Sequence, residues 1–319
     1  MPGRLLPGVG PHVIVTVTPN PALDVTYAVE RLTVHRSHRV LEVREVAGGK
    51  GLNVASVLSS QGQPVLAVGL VGGAAGERLL ADLDARGIRH SCVTSPVETR
   101  RTVTVVSRAD GEATAFNEPG APCAPGQWDS VVAHTGRVLV EHGAAVLVAS
   151  GSVPPGFPSD GYAQLVAAGH AAGCRVVLDA SGDALLGGVA AGPDVVKPNR
   201  DELAEVTGSD DPVAGARLLQ DRGAGDVLVS LGPDGMVWVP AQGPVLRAAL
   251  GHALRGNPTG AGDAAVAAVA AGLLAGEPPE LVLRNAVAWS AAAVLQPVAG
   301  VVSADDLARL GSDVTIWRD

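Results

Sequence analysis

The sequence predicts an α/β fold of three layers, a mostly parallel central sheet between helices, with a small β-sheet standing off it as a lid. Three observations carry this. Short apolar runs bounded by turn residues alternate with longer helical stretches, the βα repetition that builds a parallel sheet covered on both faces. Hydrophobic residues make up 47% of the 319 and aromatics only 3%, so the interior is built from Ala, Val and Leu, as such a sheet requires. Two segments interrupt the alternation with strands full of charge, the pattern of a sheet with one wet face.

Residues 1–11, with glycines and prolines but no sustained apolar run, read as an N-terminal extension, and 12–319 as one domain. His12 to Thr18 reads as the first buried strand, followed by the loop Pro19-Asn20-Pro21-Ala22-Leu23-Asp24. From Val25 to Val46 charges such as Arg36, Arg39, Glu42, Arg44 and Glu45 intersperse the apolar residues. Arg101 to Ser107 and Glu112 to Phe116 flank Ala109-Asp110-Gly111, a hairpin signal. The lid therefore spans about 25–47 and 100–117. Elsewhere Pro64 to Gly69, Ala144 to Ala149, Cys174 to Asp179, Pro193 to Val196 and Asp226 to Leu231 read as strands, separated by helices such as Gly76 to Arg86 and Ser159 to Ala172. Ligands of such folds bind at the carboxyl ends of the strands. Gly69 to Gly76 lacks the dinucleotide-binding spacing and reads as close strand-helix packing.

A net charge of −9, without an aromatic-laced basic stripe, excludes nucleic acid as the partner. Three widely spaced cysteines, Cys92, Cys123 and Cys174, fit a reduced cytoplasmic chain, and no His or Cys sits at metal-ligand spacing from them. No apolar run reaches bilayer length, so no membrane partner is expected.

The chemistry starts at Thr259-Gly260-Ala261-Gly262-Asp263, which runs into an apolar stretch of small residues. Two glycines at a helix start let main-chain amides converge on an anion. Asp263 in that first turn is placed to accept a proton from a hydroxyl, an arrangement suited to phosphoryl transfer. Only two of the 23 basic residues are lysines. Both lie in loop motifs, Lys50 in Gly48-Gly49-Lys50-Gly51-Leu52-Asn53 and Lys197 at the head of Lys197-Pro198-Asn199-Arg200-Asp201-Glu202. An ammonium on a flexible stem is a point charge for phosphate.

Taken together and in this order, the Gly48–Asn53 and Thr259–Asp263 motifs resemble the paired signatures of the ribokinase-like carbohydrate kinases, phosphofructokinase B branch, from about Val13 onward. Asn117-Glu118-Pro119-Gly120, Ser150 to Gly156 and Lys197 to Leu203 are most similar to 1-phosphofructokinases and tagatose-6-phosphate kinases. The resemblance implies a ribokinase-like fold, ATP, Mg²⁺ and a sugar phosphate. It makes Asp263 the base, with Gly260, Ala261 and Gly262 as the anion hole. It places Asp24, Gly49, Asn53 and Ser150 at the sugar, where a carboxylate suits a diol. Lys50 meets either the transferring phosphoryl or the phosphate already on the sugar. Arg100 grips that phosphate, with Arg39 in a similar basic lid stretch. Arg101-Thr102 stands where the family has an uncharged residue and Asn, which leaves the sugar's identity open. Lys197, Asn199, Ser230, Gly232 and Gly235, with Gly262, fall on the nucleotide side, and Glu202 orders hydrated Mg²⁺.

The expected activity is ATP-dependent phosphorylation of a ketohexose monophosphate, first among them fructose 1-phosphate to fructose 1,6-bisphosphate. A tagatose-6-phosphate or free-sugar kinase of the same fold, and a nonenzymatic sugar-phosphate or nucleotide sensor, are the alternatives. A dinucleotide oxidoreductase ranks last. Exposed strand edges of the lid point to a homodimer through it.

Overall fold

The computed structural model describes residues 13–319, so the expected 1–11 extension lies outside the described residues. In chain order the strands are β1 (Val13–Thr18), β2 (Ala22–Val29), β3 (Glu42–Gly48), β4 (Val65–Val71), β5 (Val93–Thr94), β6 (Arg100–Ser107), β7 (Ala113–Asn117), β8 (Ala144–Ser150), β9 (Arg175–Asp179), β10 (Val195–Val196), β11 (Asp226–Ser230), β12 (Met236–Val239), β13 (Leu246–Leu250) and β14 (Val314–Arg318). The helices are α1 (Lys50–Ser60), α2 (Gly73–Ala85), α3 (Gln127–Glu141), α4 (Gly161–Ala171), α5 (Gly182–Val189), α6 (Arg200–Thr207), α7 (Pro212–Gln220), α8 (Ala261–Ala275), α9 (Pro279–Val294) and α10 (Ala304–Asp313).

Ten strands form the main sheet in the order β14-β13-β12-β11-β10-β9-β8-β1-β4-β5. From β5 to β11 all neighbours are parallel, and β12, β13 and β14 extend that edge in antiparallel fashion. Successive residues of a strand face opposite layers. Ile14 accordingly packs with residues of α1, α2, α8 and α9, while Val13, Val15 and Val17 pack with residues of α3, α4, α5, α6 and α7. The two cores are the two sides of a three-layer sandwich. Among the described residues no helix is long and apolar enough to cross a membrane.

The lid is a separate four-stranded sheet in the order β3-β2-β6-β7. Its centre is the parallel pair β2 and β6, flanked by antiparallel β3 and β7. The charged stretch from Val25 to Val46 is stranded only at its two ends, since 30–41 is a connection between β2 and β3. Other elements differ from the sequence reading as well, and β2 begins at Ala22, so Asp24 lies in a strand rather than in the expected loop. The strand at 193–196 shrinks to Val195–Val196, because Pro193 has no amide to donate to the ladder. The helix expected from Gly76 begins at Gly73.

Glycines bring α1 close to the sheet where the site lies. A side chain at Gly51 would run into Thr18 Oγ1 and the Val17 carbonyl at the end of β1. The first turn of α1, which carries Lys50 and Asn53, is thus seated directly on β1. Gly51→Ala should lift that turn, cost roughly 1–3 kcal/mol of stability and depress turnover. Urea unfolding and steady-state rates check it, and an unchanged midpoint with full turnover would show that this contact sets neither.

Candidate active site

The starts of α1, α6 and α8 open onto one cavity of about 900 Å³, with the lid as its opposite wall. Gly49, Lys50 and Asn53 come from α1 and its cap, Lys197, Asn199 and Glu202 from the start of α6, and Gly260, Gly262 and Asp263 from α8. Asp24, Arg100 and Thr102 reach it from β2 and β6. Asp179 ends β9, Lys197 follows β10 and Ser230 ends β11, so the wall facing the lid stands at the carboxyl ends of parallel strands, where the fold leaves a crevice.

Gly260 caps α8 in the left-handed region with φ 83°, and a side chain there would meet Ala299. Among the described residues, the amides of Gly260, Gly262 and Asp263 have no acceptor. Ala261 does not join them. Its N–H donates to the Pro258 carbonyl at 3.1 Å, so this member of the expected anion hole is committed to the turn. Asp263 is 6% exposed and accepts from Asn53 Nδ2 at 2.7 Å. Burial, and then the negative charge of Asp179, push its carboxyl up to about 6, against the Asn53 hydrogen bond and the charges of Lys50 and Lys197.

Asp179, at the end of β9, is the residue that sequence reasoning missed. It is buried, and its Oδ1 stands 3.3 Å from Lys197 Nζ and 3.6 Å from Lys50 Nζ. Burial alone would raise its pKa, but the two ammonium groups hold it below the ordinary carboxylate value. Lys50 also lies 3.5 Å from Glu202 Oε1. The negative charges of Asp179, Glu202 and Asp263 keep Lys50 protonated, its pKa raised against burial. Ser150, expected at the substrate, is fully buried and does not line the cavity. Its hydroxyl instead donates to Asp179 Oδ2 at 3.0 Å, which fixes the carboxylate's orientation. The signal for Asp179 was present in Arg175-Val176-Val177-Leu178-Asp179, a charge closing an apolar strand on the binding side of a parallel sheet.

Asn199 and Glu202 cap α6 reciprocally. Asn199 Oδ1 accepts from the Glu202 amide at 2.8 Å, and Glu202 Oε2 from the Asn199 amide at 2.9 Å, a capping box. Glu202 Oε1 remains turned to Lys50. Ser230 lines the same cavity, whereas Gly232 and Gly235 line a second one of about 350 Å³ on the other side of Ala261. That cavity is mostly apolar, walled by Met236, Leu250, Leu254, Val287, Ala291 and Val294.

Asp24 is turned toward Gly48, whose missing side chain makes room for the carboxylate. Burial raises its pKa to about 6, opposed by a hydrogen bond from Thr102 and the charge of Arg100. Arg100 donates through Nε to the Asn20 carbonyl and through Nη1 to the Glu118 carbonyl, both at 3.1 Å. Arg39 does not line either cavity, and Arg101 is paired with Glu118 at 3.4 Å.

The pfkB family carbohydrate kinase pattern matches residues 20–305, nearly the whole of this architecture. The chain belongs to the pfkB family of carbohydrate kinases. The kinase is 39% identical over 274 residues to a 1-phosphofructokinase of Xanthomonas campestris, covering 82% of this chain and 84% of that one. Phosphofructokinase-2 of Escherichia coli, solved with potassium, superposes with a TM-score of 0.86 at 30% identity over 94% of this chain and 98% of that one. Ribokinase of Arabidopsis thaliana, solved with ribose and ATP, shares the fold at TM-score 0.72 and 22% identity, over 95% of this chain and 99% of that one.

The Asn53 hydrogen bond to Asp263 has a measurable consequence for the kinase. Asn53→Ala removes a donor that favours the ionised carboxylate, so the midpoint of the acid limb of turnover should move up by about one pH unit, the equivalent of a hydrogen bond of ~1.4 kcal/mol. A pH–rate profile reads it, and a limb that stays in place would detach Asp263 ionisation from turnover.

Proposed function

We propose that the kinase phosphorylates fructose 1-phosphate on its 6-hydroxyl, giving fructose 1,6-bisphosphate and ADP. The observation that carries this is the buried Asp263 carboxylate beside three acceptor-free amides at the start of α8. Asp24 takes sugar hydroxyls, and Arg100 takes the phosphate the sugar already carries. Asp263 accepts the 6-hydroxyl proton as the new O–P bond forms and the bond from the γ-phosphorus to the ADP oxygen breaks. The Gly260, Gly262 and Asp263 amides stabilise the charge on the moving phosphoryl group, each donor of this kind being worth about 2.7–4 kcal/mol. Lys50 and Lys197 flank the same point, and Ser230 and Asn199 border the phosphate chain. The nucleotide base fills the apolar cavity behind Gly232 and Gly235.

The residues present fit a magnesium ion. Asp179 Oδ1 is a buried carboxylate oxygen on the cavity wall, beside the Lys197 and Lys50 ammonium groups, and Glu202 Oε1 shares Lys50 with it. Among the described residues no cluster of three or more carboxylate, His or Cys ligands forms a cage. That suits Mg²⁺, which takes one or two carboxylates and completes its shell with water and phosphate oxygens. When bound, it neutralises charge on the nucleotide phosphates.

Two copies pair through the lid, whose edge strands β3 and β7 carry exposed Val43 and Phe116, and the kinase works in the cytoplasm, where its three free cysteines stay reduced. Light scattering tests the pairing, and a monomeric mass at working concentration ends it.

A coupled ADP-release assay over sugars and sugar phosphates tests the activity. Fructose 1-phosphate should lead. Turnover of unphosphorylated sugars alone removes the sugar-phosphate reading, and binding without any turnover favours a sensor. Asp263→Asn should keep nucleotide binding while losing about 10²–10⁴ in rate. The sign of the pH dependence follows from the raised values. Asp24 and Asp263 both function ionised, so kcat/KM should hold above pH 6 and fall below it, with a log slope approaching two where both carboxylates titrate. A slope of one would mean that only one of the two ionisations matters.

A further inference from the structure

Arg100 stands out because its guanidinium is half committed before any ligand arrives. An arginine presents five N–H groups. Here Nε–H goes to the Asn20 carbonyl and one Nη1 hydrogen to the Glu118 carbonyl, both at 3.1 Å. Three remain for the cavity it lines. The two carbonyls come from separate segments, the loop after β1 and the strand end after β7.

Asn20 joins those segments. Its side chain is 8% exposed, and its Nδ2 donates to the Pro119 carbonyl at 3.0 Å. Gly120 permits the contact. It has φ 91°, and a side chain there would collide with the Asn20 amide. One residue therefore supplies one acceptor for Arg100 through its main chain and, through its side chain, ties down the loop that supplies the other. A guanidinium with two bonds to fixed carbonyls loses little further freedom when it meets a phosphate, and preorganised groups bind more tightly for that reason.

We propose that Asn20 is a positioning residue that sets the kinase's preference for phosphorylated over unphosphorylated sugar, by holding Arg100 and the Glu118–Gly120 loop in the geometry that grips the substrate phosphate. The proposal rests on the reading of Arg100 as the phosphate grip. It assigns Asn20 no contact with the reacting atoms. Losing its amide therefore weakens binding of fructose 1-phosphate and leaves the transfer step and the nucleotide side alone.

The test is a double-mutant cycle with four enzymes, wild type, Asn20→Ala, Arg100→Ala and the double variant, each assayed on fructose 1-phosphate and on fructose. Asn20→Ala should raise KM for fructose 1-phosphate about tenfold, a ~1.4 kcal/mol change, with kcat and the KM for ATP within about threefold, a range too small to count as a lost contact. kcat/KM on fructose should barely move. In the Arg100→Ala background the Asn20 substitution should add little, because both losses run through the same guanidinium. Additive losses, equal losses on both sugars, or an unchanged KM overturn the proposal. A preference for fructose 1-phosphate that survives Arg100→Ala overturns instead the underlying reading of Arg100, so the two failures are told apart. Asn20→Asp guards against a folding defect. It keeps the side chain's shape and turns an acceptor toward the Pro119 carbonyl, so it should reproduce the KM effect while its circular dichroism at the assay temperature matches wild type, even with a melting temperature lowered by the buried carboxylate. A normal KM in that well-folded variant likewise refutes the role.

Discussion

Asp179 is the constraint on which the site depends. A lone buried carboxylate is costly, and this one is stabilised by the only two lysines in the chain. The dependence runs both ways. Lys197 is itself 4% exposed, and without Asp179 its ammonium would have to be buried unpaired. The pair of amines is thereby brought to the edge of the α8 start, where Lys197 Nζ lies just beyond Gly262. Ser150 keeps the carboxylate from rotating. Two ammonium groups are thus held side by side on the cavity wall in a chain whose net charge is −9.

The same negative centre raises the pKa of the groups around it, which disfavours charge on an acid and favours it on an amine. It contributes to the raised pKa of Asp263 and to that of Lys50. A carboxyl near 6 is a better proton acceptor than an ordinary aspartate and still ionised at neutral pH. Glu202 adds a further acid beside Lys50. The cavity is therefore a balanced cluster rather than a basic pocket, and its balance shifts when phosphate oxygens and a divalent cation enter.

Much of this was legible in the sequence. The parallel sheet followed from alternating apolar runs, and the glycine motifs marked the starts of α1 and α8, because glycine is needed where a helix end must lie against another backbone. What was not legible required knowing what lies opposite what. Ala261 sits inside the motif, yet its amide faces the Pro258 carbonyl, a local turn that glycine spacing does not encode. Ser150 has the residue type of a substrate contact and lies one layer too deep. Asp179 hides in a strand that reads as core. At the edge of the antiparallel extension β13 pairs with β14, Leu246–Leu250 with Val314–Arg318, segments far apart in the chain, and nothing local to either specifies the pairing.

The lid shows the same point in its strongest form. Its centre is a parallel pairing that sets Ala22 opposite Arg100 and Asp24 opposite Thr102, across more than seventy residues of chain. Side chains alternate along a strand, so a slip of one residue between β2 and β6 would turn one of Asp24 and Arg100 away from the cavity and leave the other. The register is held at the Arg100 end of β6 from two sides, by Arg100 reaching back to the Asn20 carbonyl and by β7, which sets Asn117 against Thr102 and delivers the Glu118 carbonyl to Arg100. The Asp24 carboxylate and the Arg100 guanidinium are therefore placed by one set of backbone bonds. The lid acts as a single gauge, and the spacing between Asp24 and Arg100 is a property of β-sheet register rather than of either side chain.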